Sequence, residues 1–310
     1  MRPSARILLV AAFAAAVPFI ARAGQDGDVQ VFKAAAELVV LHVNVFNGRS
    51  DAVEGLPQSA FTVFEDERPQ EISFFNAADV PVTVGLVIDN STSMVPRRDA
   101  VMAAGLAFAQ SSHPEDELFT IHFNENVKYG LPATVPFTNS APLMHSALAS
   151  YRPGGRTALY DAVIAGLEHL ELATHQKHVL VVLSDGEDNA SRSSKEEMMK
   201  RAFESDAIVY TVSNANRRTG APGDPGVLRK LADVTGGVSY FPDSDDDVIE
   251  SFDELAGNIR RGYSIGYAPT NTKQDGGYRR VKVTVTAPGR NNLSVRTRDG
   301  YRSSDYSRAR

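Results

Sequence analysis

Apolar and polar positions follow three successive patterns along this chain, and each change of pattern marks a change of architecture. Residues 37–45, ELVVLHVNV, are rich in β-branched side chains and predict a strand, which Asn47-Gly48 then turns. Residues 61–65 and 70–75 flank Asp66-Glu67-Arg68-Pro69 and predict a hairpin with alternating faces. No helical period occurs before Val82. From there the texture changes. Residues 82–88, VTVGLVI, form an almost unbroken apolar run, as a strand covered on both faces requires; a half-exposed strand would alternate.

Helical periods and further apolar runs then take turns. A helix is expected over 97–112, with Val101, Ala104, Gly105 and Phe108 on one face, followed by a strand over 118–123 and a shorter helix over 137–151. Residues 158–173 place Leu159, Val163, Leu167 and Leu170 in helical register, and 179–183 is a second all-apolar strand. Ser194 and Glu197 form a capping box that opens a helix over 195–204. A strand over 207–212, a helix over 226–234 closed by Gly236-Gly237, and a short strand over 238–241 come next. The last helix, 248–261, is predicted to turn Ile249, Phe252, Leu255 and Ile259 inward. Beyond Gly262 alternation returns: strands are expected over 263–267, over 280–286 with Val281, Val283 and Val285 on one side, and over 293–298.

Strands alternating with helices over 82–262 predict an α/β fold, a doubly wound and mostly parallel sheet. The flanks, 24–81 and 263–303, each hold too few strands to be stable alone. They are therefore expected to pair into one small discontinuous all-β domain interrupted by the α/β domain, with 304–310 left as a polar tail.

Composition narrows the function. The chain has 310 residues, 43% of them hydrophobic, and a net charge of −6, so there is no electrostatic case for nucleic acid. Residues 1–23 have the three parts of an export signal: Arg2 and Arg6, an apolar middle at 7–20, and Ala21-Arg22-Ala23 at the cleavage position. The apolar middle is short for a bilayer and Pro18 interrupts it, which leaves an uncleaved anchor as the weaker alternative. No other stretch approaches about 20 apolar residues, so no stable membrane span is expected after signal cleavage. The chain has no cysteine, which removes disulfides, thiolate metal sites and cysteine nucleophiles together. Export without disulfides points to a bacterial periplasmic or secreted protein.

The candidate chemistry lies where apolar strands end. After the run at 82–88 come Asp89, Ser91 and Ser93. Open α/β sheets place their ligands beyond the carboxyl ends of their strands, and short oxygen side chains converging there suit a hard cation such as Mg2+. Gly154-Gly155-Arg156-Thr157, before a helix, and Ser184-Asp185-Gly186, after a strand, belong to the same sheet edge. Two carboxylates, Asp89 and Asp185, would thus join three hydroxyls, from Ser91, Ser93 and Thr157. A calcium cage usually gathers more carboxylates. This set leaves a cation undercompensated and able to attract a carboxylate from outside. Taken one at a time, the same residues could be no more than turn and capping residues.

Together, DNSTS after a buried strand, GGRTALYDA before a helix and SDGEDN after another strand resemble the metal-ion-dependent adhesion site of von Willebrand factor type A domains, over about 82–262. The flanks, with LPQSAFTVFEDERPQEISFF before and YSIGYAPTN and DGGYRRVKVTV after, are similar to those of the exported bacterial VWFA-related family. The resemblance implies that Asp89, Ser91, Ser93 and Thr157 are direct or near-direct ligands of Mg2+, or of Mn2+ or Ca2+, and that Asp185 acts through a water. It implies a non-enzymatic module whose protein partner offers an Asp or Glu. Glu67-Arg68 departs from the family where a glycine often makes the turn. Two rivals remain: a metal-assisted hydrolase with Glu187 or Asp188 as its base, and a structural part of an envelope assembly. His169, His175 and His178 fit no metal motif and read as a solvated helix end, and the acidic run Asp243, Asp245, Asp246, Asp247 reads as helix capping.

Overall fold

A computed structural model describes residues 38–48, 51–213, 223–290 and 292–303. The expected export signal at 1–23 and the tail at 304–310 lie outside the described residues. The N-terminal flank supplies β1 (Val39–Asn47), β2 (Asp51–Ala52), β3 (Phe61–Glu65), β4 (Arg68–Gln70) and β5 (Ile72–Asn76). The hairpin is present, but its second arm is split. Asp66 and Glu67 both take left-handed backbone angles, φ 46° and 66°, and make a two-residue turn between Glu65 and Arg68. Neither is a glycine, and β-hairpin turns of this hand usually need one. Asp66 is held from outside: its N–H donates to the Arg280 carbonyl and its Oδ1 accepts from the Arg280 N–H. Past Gln70 the expected strand over 70–75 changes sheets. The Gln70 side chain bonds to Thr270 through both ends of its amide, fixing the corner, and β5 pairs elsewhere.

The middle of the chain builds the six-stranded sheet. Its elements in order are β6 (Thr83–Asp89), α1 (Arg98–Ser111), β7 (Glu117–Phe123), β8 (Val127–Tyr129), α2 (Ala141–Ala149), α3 (Leu159–Leu170), β9 (His178–Ser184), α4 (Lys195–Glu204), β10 (Ile208–Ser213), α5 (Pro225–Thr235), β11 (Ser239–Tyr240) and α6 (Asp245–Arg260). The sheet order is β11-β10-β9-β6-β7-β8, with every pairing parallel except that of β8, a short antiparallel edge strand the sequence did not announce. Every residue of β6 is buried, as its unbroken apolar run requires. Val84, Leu86 and Ile88 face a core shared with α1, α2 and α6, while Val87 faces the core under α3, α4 and α5.

Two helices differ from expectation. Residues 137–140 stay extended because Leu118 and Thr138 exchange backbone hydrogen bonds, and α2 begins only after the Ser140 cap, with Pro142 in its first turn. Helix α6 starts earlier than predicted, at a capping box between Ser244 and Asp247, so the acidic run does cap a helix. That start puts Val248, not Ile249, in line with Phe252, Leu255 and Ile259; Ile249 is 41% exposed.

The C-terminal flank returns as β12 (Tyr263–Tyr267), β13 (Tyr278–Val285), β14 (Leu293–Arg296) and β15 (Gly300–Arg302). Strand β12 lies antiparallel between β1 and β5, and β13 lies between β3 and β15. Each flank sheet therefore mixes strands from both ends of the chain, and their inner faces share one core around Leu41, Val63, Tyr263 and Ile265. Among the described residues no helix is long and apolar enough to cross a membrane.

Candidate metal centre

The site is built where β6 and β9 end side by side. Asp89 closes β6, and its carboxylate accepts from the Ser91 N–H at 2.8 Å and, through Oδ2, from the Ser184 hydroxyl at 2.7 Å. The first bond is a local Asx turn that folds the loop back over its own strand. It brings the Ser91 and Ser93 hydroxyls to 3.0 Å from each other. Asp185 follows Ser184 and its Oδ1 accepts from the Glu187 N–H at 3.0 Å.

Thr157 reaches the site on a loop stitched to both others. The Gly154 N–H donates to the Asn90 carbonyl at 2.7 Å, and the Thr92 N–H and hydroxyl both donate to the Gly155 carbonyl. Gly155 has φ +89°, and a side chain there would run into the Glu125 carboxylate, which accepts from the Arg156 N–H at 3.0 Å. On the other side the Thr157 N–H donates to Asn189 Oδ1 at 2.9 Å, and its carbonyl accepts from the Asn189 and Ala190 N–H groups. Those bonds use the backbone of Thr157; its hydroxyl makes no hydrogen bond among the described residues. Asp89, Ser91, Thr157 and Asp185 are all buried. The structure thus gathers the loops of all five sequence-predicted residues at one sheet edge.

The electrostatics are unusual for buried acids. Asp89 is 2% exposed and Asp185 3%. Burial pushes the Asp89 carboxyl up to about 6; hydrogen bonds from Ser91 and Ser184 pull against this, and the nearby Asp185 charge adds to it. Neither acid takes part in any salt bridge among the described residues. Two adjacent buried carboxylates without a cationic side chain, beside three hydroxyls, match what a hard divalent cation needs. Among the described residues no three or more His, Cys, Asp or Glu side chains stand together in a way that could hold a metal ion. The present set has only two such side chains, its other donors being hydroxyls.

Some of the supporting residues were not legible beforehand. Asn90 is the hub beneath the loop: its side-chain amide donates to the Ile88 carbonyl at 3.0 Å and meets His122 Nδ1 at 3.1 Å. His122 Nε2 lies 3.0 Å from the Ala147 carbonyl, which can only accept, so Nε2 carries the proton and Nδ1 accepts from Asn90. Ser184 was visible as part of its loop but not as the donor that holds Asp89. No spacing rule links Asn90 to His122; only strand pairing across β6 and β7 places them together.

No family model matches the chain, and no curated protein matches it. Among solved structures, a von Willebrand factor type A protein from Catenulispora acidiphila is similar over 89% of this chain and 76% of its own, at 12% identity and a TM-score of 0.52. The fold is that of a von Willebrand factor type A domain. Other similar structures are the vWF domain of the type V pili tip protein Mfa5 from Porphyromonas gingivalis and the conserved hypothetical protein BatB from Bacteroides thetaiotaomicron. The first matches at 12% identity over 59% of this chain and 96% of its own, with a TM-score of 0.48. The second matches at 17% identity over 57% and 98%, with a TM-score of 0.46. On this von Willebrand factor type A fold the five candidate residues occupy the carboxyl edge of the parallel strands, the edge at which open α/β sheets hold ligands. His175 and His178 lie at the opposite edge, before and at the start of β9, and His178 pairs with Asp206 at 2.9 Å.

Proposed function

We propose that this chain is an exported, non-enzymatic binding module that captures an acidic residue of a protein partner through a divalent cation held by Asp89, Ser91, Ser93, Thr157 and Asp185. Mg2+ is the first choice of ion, with Mn2+ or Ca2+ as substitutes. The observation that carries this reading is the pair of buried carboxylates, Asp89 and Asp185, left without a cationic side chain and set beside neutral hydroxyls. Two carboxylates balance a divalent charge, but these five side chains fall short of the octahedron of oxygens Mg2+ takes, leaving a coordination position for an Asp or Glu from outside. Thr157, held by its backbone on both sides, brings to this edge a hydroxyl that makes no hydrogen bond among the described residues. Export and the periplasmic or secreted location rest on the signal-like residues 1–23.

Of the two bases open to the hydrolase reading, Asp188 is engaged, which leaves Glu187, whose carboxylate makes no hydrogen bond among the described residues. Asp188 Oδ2 accepts from the Tyr160 N–H and the Ser191 hydroxyl, and its Oδ1 accepts from the Ser191 N–H. His122 is buried with both ring nitrogens bonded. The deciding experiment is thermal unfolding in chelator and then with Mg2+, Mn2+ or Ca2+, for wild type and Asp89→Ala. An ion at 100 times its Kd should add about 2.7 kcal/mol to wild type, roughly 5–10 °C for a chain of this size, and nothing to the variant. Equal shifts in both would remove the site. Partner capture retained by folded Asp89→Ala would favour a structural role in an assembly.

A further inference from the structure

The other end of α3 carries a second site of different chemistry. A cavity of about 630 Å3 opens beside the edge strand β8, within the size range of small-molecule sites. Its walls include Phe119, Tyr129, Leu131, Pro136, His169 and Leu172. The His169 ring sits in an aromatic box, with centroids 4.4 Å from Phe119, 5.1 Å from Tyr129 and 5.1 Å from Phe137. From the candidate metal loops, at the start of α3, the 12-residue helix runs roughly 18 Å to this box.

Lys128 and the Tyr129 hydroxyl interrupt the apolar lining, and two further polar atoms in it, on His169 and Thr120, have unused hydrogen-bonding capacity among the described residues. His169 Nε2 lies 2.8 Å from the Pro136 carbonyl, so that nitrogen carries the proton, and in the neutral ring Nδ1 remains an acceptor with no partner among the described residues. Thr120, also in the wall, is 1% exposed, and its hydroxyl has no hydrogen-bond partner among the described residues. It lies beneath Gly130, where any side chain would strike it. No carboxylate lines the cavity, and the ammonium of Lys128, a wall residue, is engaged 5.2 Å over the Tyr151 ring. A ligand here needs aromatic faces and a hydrogen-bond donor, and it needs no charge.

We propose that this cavity binds a small, neutral, planar aromatic molecule bearing one N–H or O–H donor, which stacks among the rings and donates to His169 Nδ1. Indole is the probe, and because the chain contains no tryptophan its emission can be followed without an indole background from the protein. Indole titrated into the full chain should give a saturable blue shift. 1-Methylindole, which lacks the donor, should bind about 3–10-fold more weakly, the worth of one neutral hydrogen bond. In His169→Phe the two probes should bind alike. Should that variant fail to fold, the His169 and Tyr129 ring resonances of wild type replace it, and both should move saturably with indole. Indole that does not saturate, 1-methylindole that binds wild type as tightly as indole, or ring resonances that stay still would each overturn the proposal.

Discussion

Glu65 and Asp89 are both acids with 2% exposure, and the two regions that bury them treat them in opposite ways. Glu65 lies between the flank sheets, where its Oε2 accepts from the Tyr267 hydroxyl at 2.9 Å and the Tyr301 hydroxyl at 2.8 Å. Those tyrosines come from β12 and β15, one on each flank sheet, so the carboxylate joins the sheets by their own donors. Burial and the bond to Glu65 push the Tyr267 phenol well above its usual range, which keeps it a donor. Asp89 also receives hydrogen bonds, but its neighbour is a second acid, and burying charge without a partner costs several kcal/mol. The flank serves its buried acid from within at Oε2, while Oε1 has no hydrogen-bond partner among the described residues. The carboxyl edge of the six-stranded sheet leaves negative charge over, and on the proposed function an ion from outside completes it.

The sharpest way to break this contrast is to remove each acid in turn. Glu65→Ala leaves two buried phenols without their acceptor and a void between the sheets, and should cost about 3–5 kcal/mol in urea unfolding; a loss under about 1 kcal/mol would show that the clamp does not join the sheets. Asp89→Asn should act in the opposite direction. In chelator it removes a buried charge and should stabilise the chain by about 2–3 kcal/mol, following the upward shift of the carboxyl. The same variant should lose its response to Mg2+. Destabilisation by Asp89→Asn in chelator would mean that the carboxylate is satisfied where it stands.

Acid titration sharpens the comparison further. Burial holds His42, on β1, at about 4, with the Lys177 charge adding to the effect, and burial likewise holds His122, on β7, at about 4. Unfolded, both titrate near 6.5, so between about 6.5 and 4 the unfolded chain binds more protons and stability falls as pH drops. Asp89 in chelator has the reverse sign: its folded value of about 6 exceeds the unfolded 3.8, so its contribution rises as pH drops through that window. The wild type in chelator should therefore lose less stability from pH 7 to 5 than Asp89→Asn, by about 1.4 kcal/mol per pH unit within the window. Urea midpoints of the two proteins at several pH values test this, and parallel curves would refute it. The smallest expected effect lies in the flank hairpin. Glu67→Gly relieves a left-handed backbone at some cost in chain entropy, and should raise stability by about 0.5–1 kcal/mol.

The same two regions differ in how far they could be read from the chain. The parallel strands announced themselves because a strand covered on both faces has no polar positions, and the loops after β6 and β9 followed from where the apolar runs stopped. The flanks are half-covered, and alternation sets which side faces inward without saying which strand is the neighbour. Nothing local at Glu71 shows that the chain leaves one sheet for the other; the Gln70–Thr270 bonds that turn it span 200 residues. Ile249 falls outside the buried stripe because a helix start set by Ser244 rotates the whole stripe to Val248, Phe252, Leu255 and Ile259. Within the candidate site, Asn90 and His122 were silent for the same reason, since strand register alone brings them together.

The antiparallel register of β5 against β12 sets Asn76 opposite Ser264, so the entire α/β portion leaves and rejoins the flanks at one rung of a ladder. A tug applied between residues 38 and 303 would load β1, β12, β13 and β15 first. The six-stranded sheet would carry no tension until the β5–β12 ladder parted. A load from a partner held at the carboxyl edge would instead enter through the six-stranded sheet and reach the flanks at that same rung.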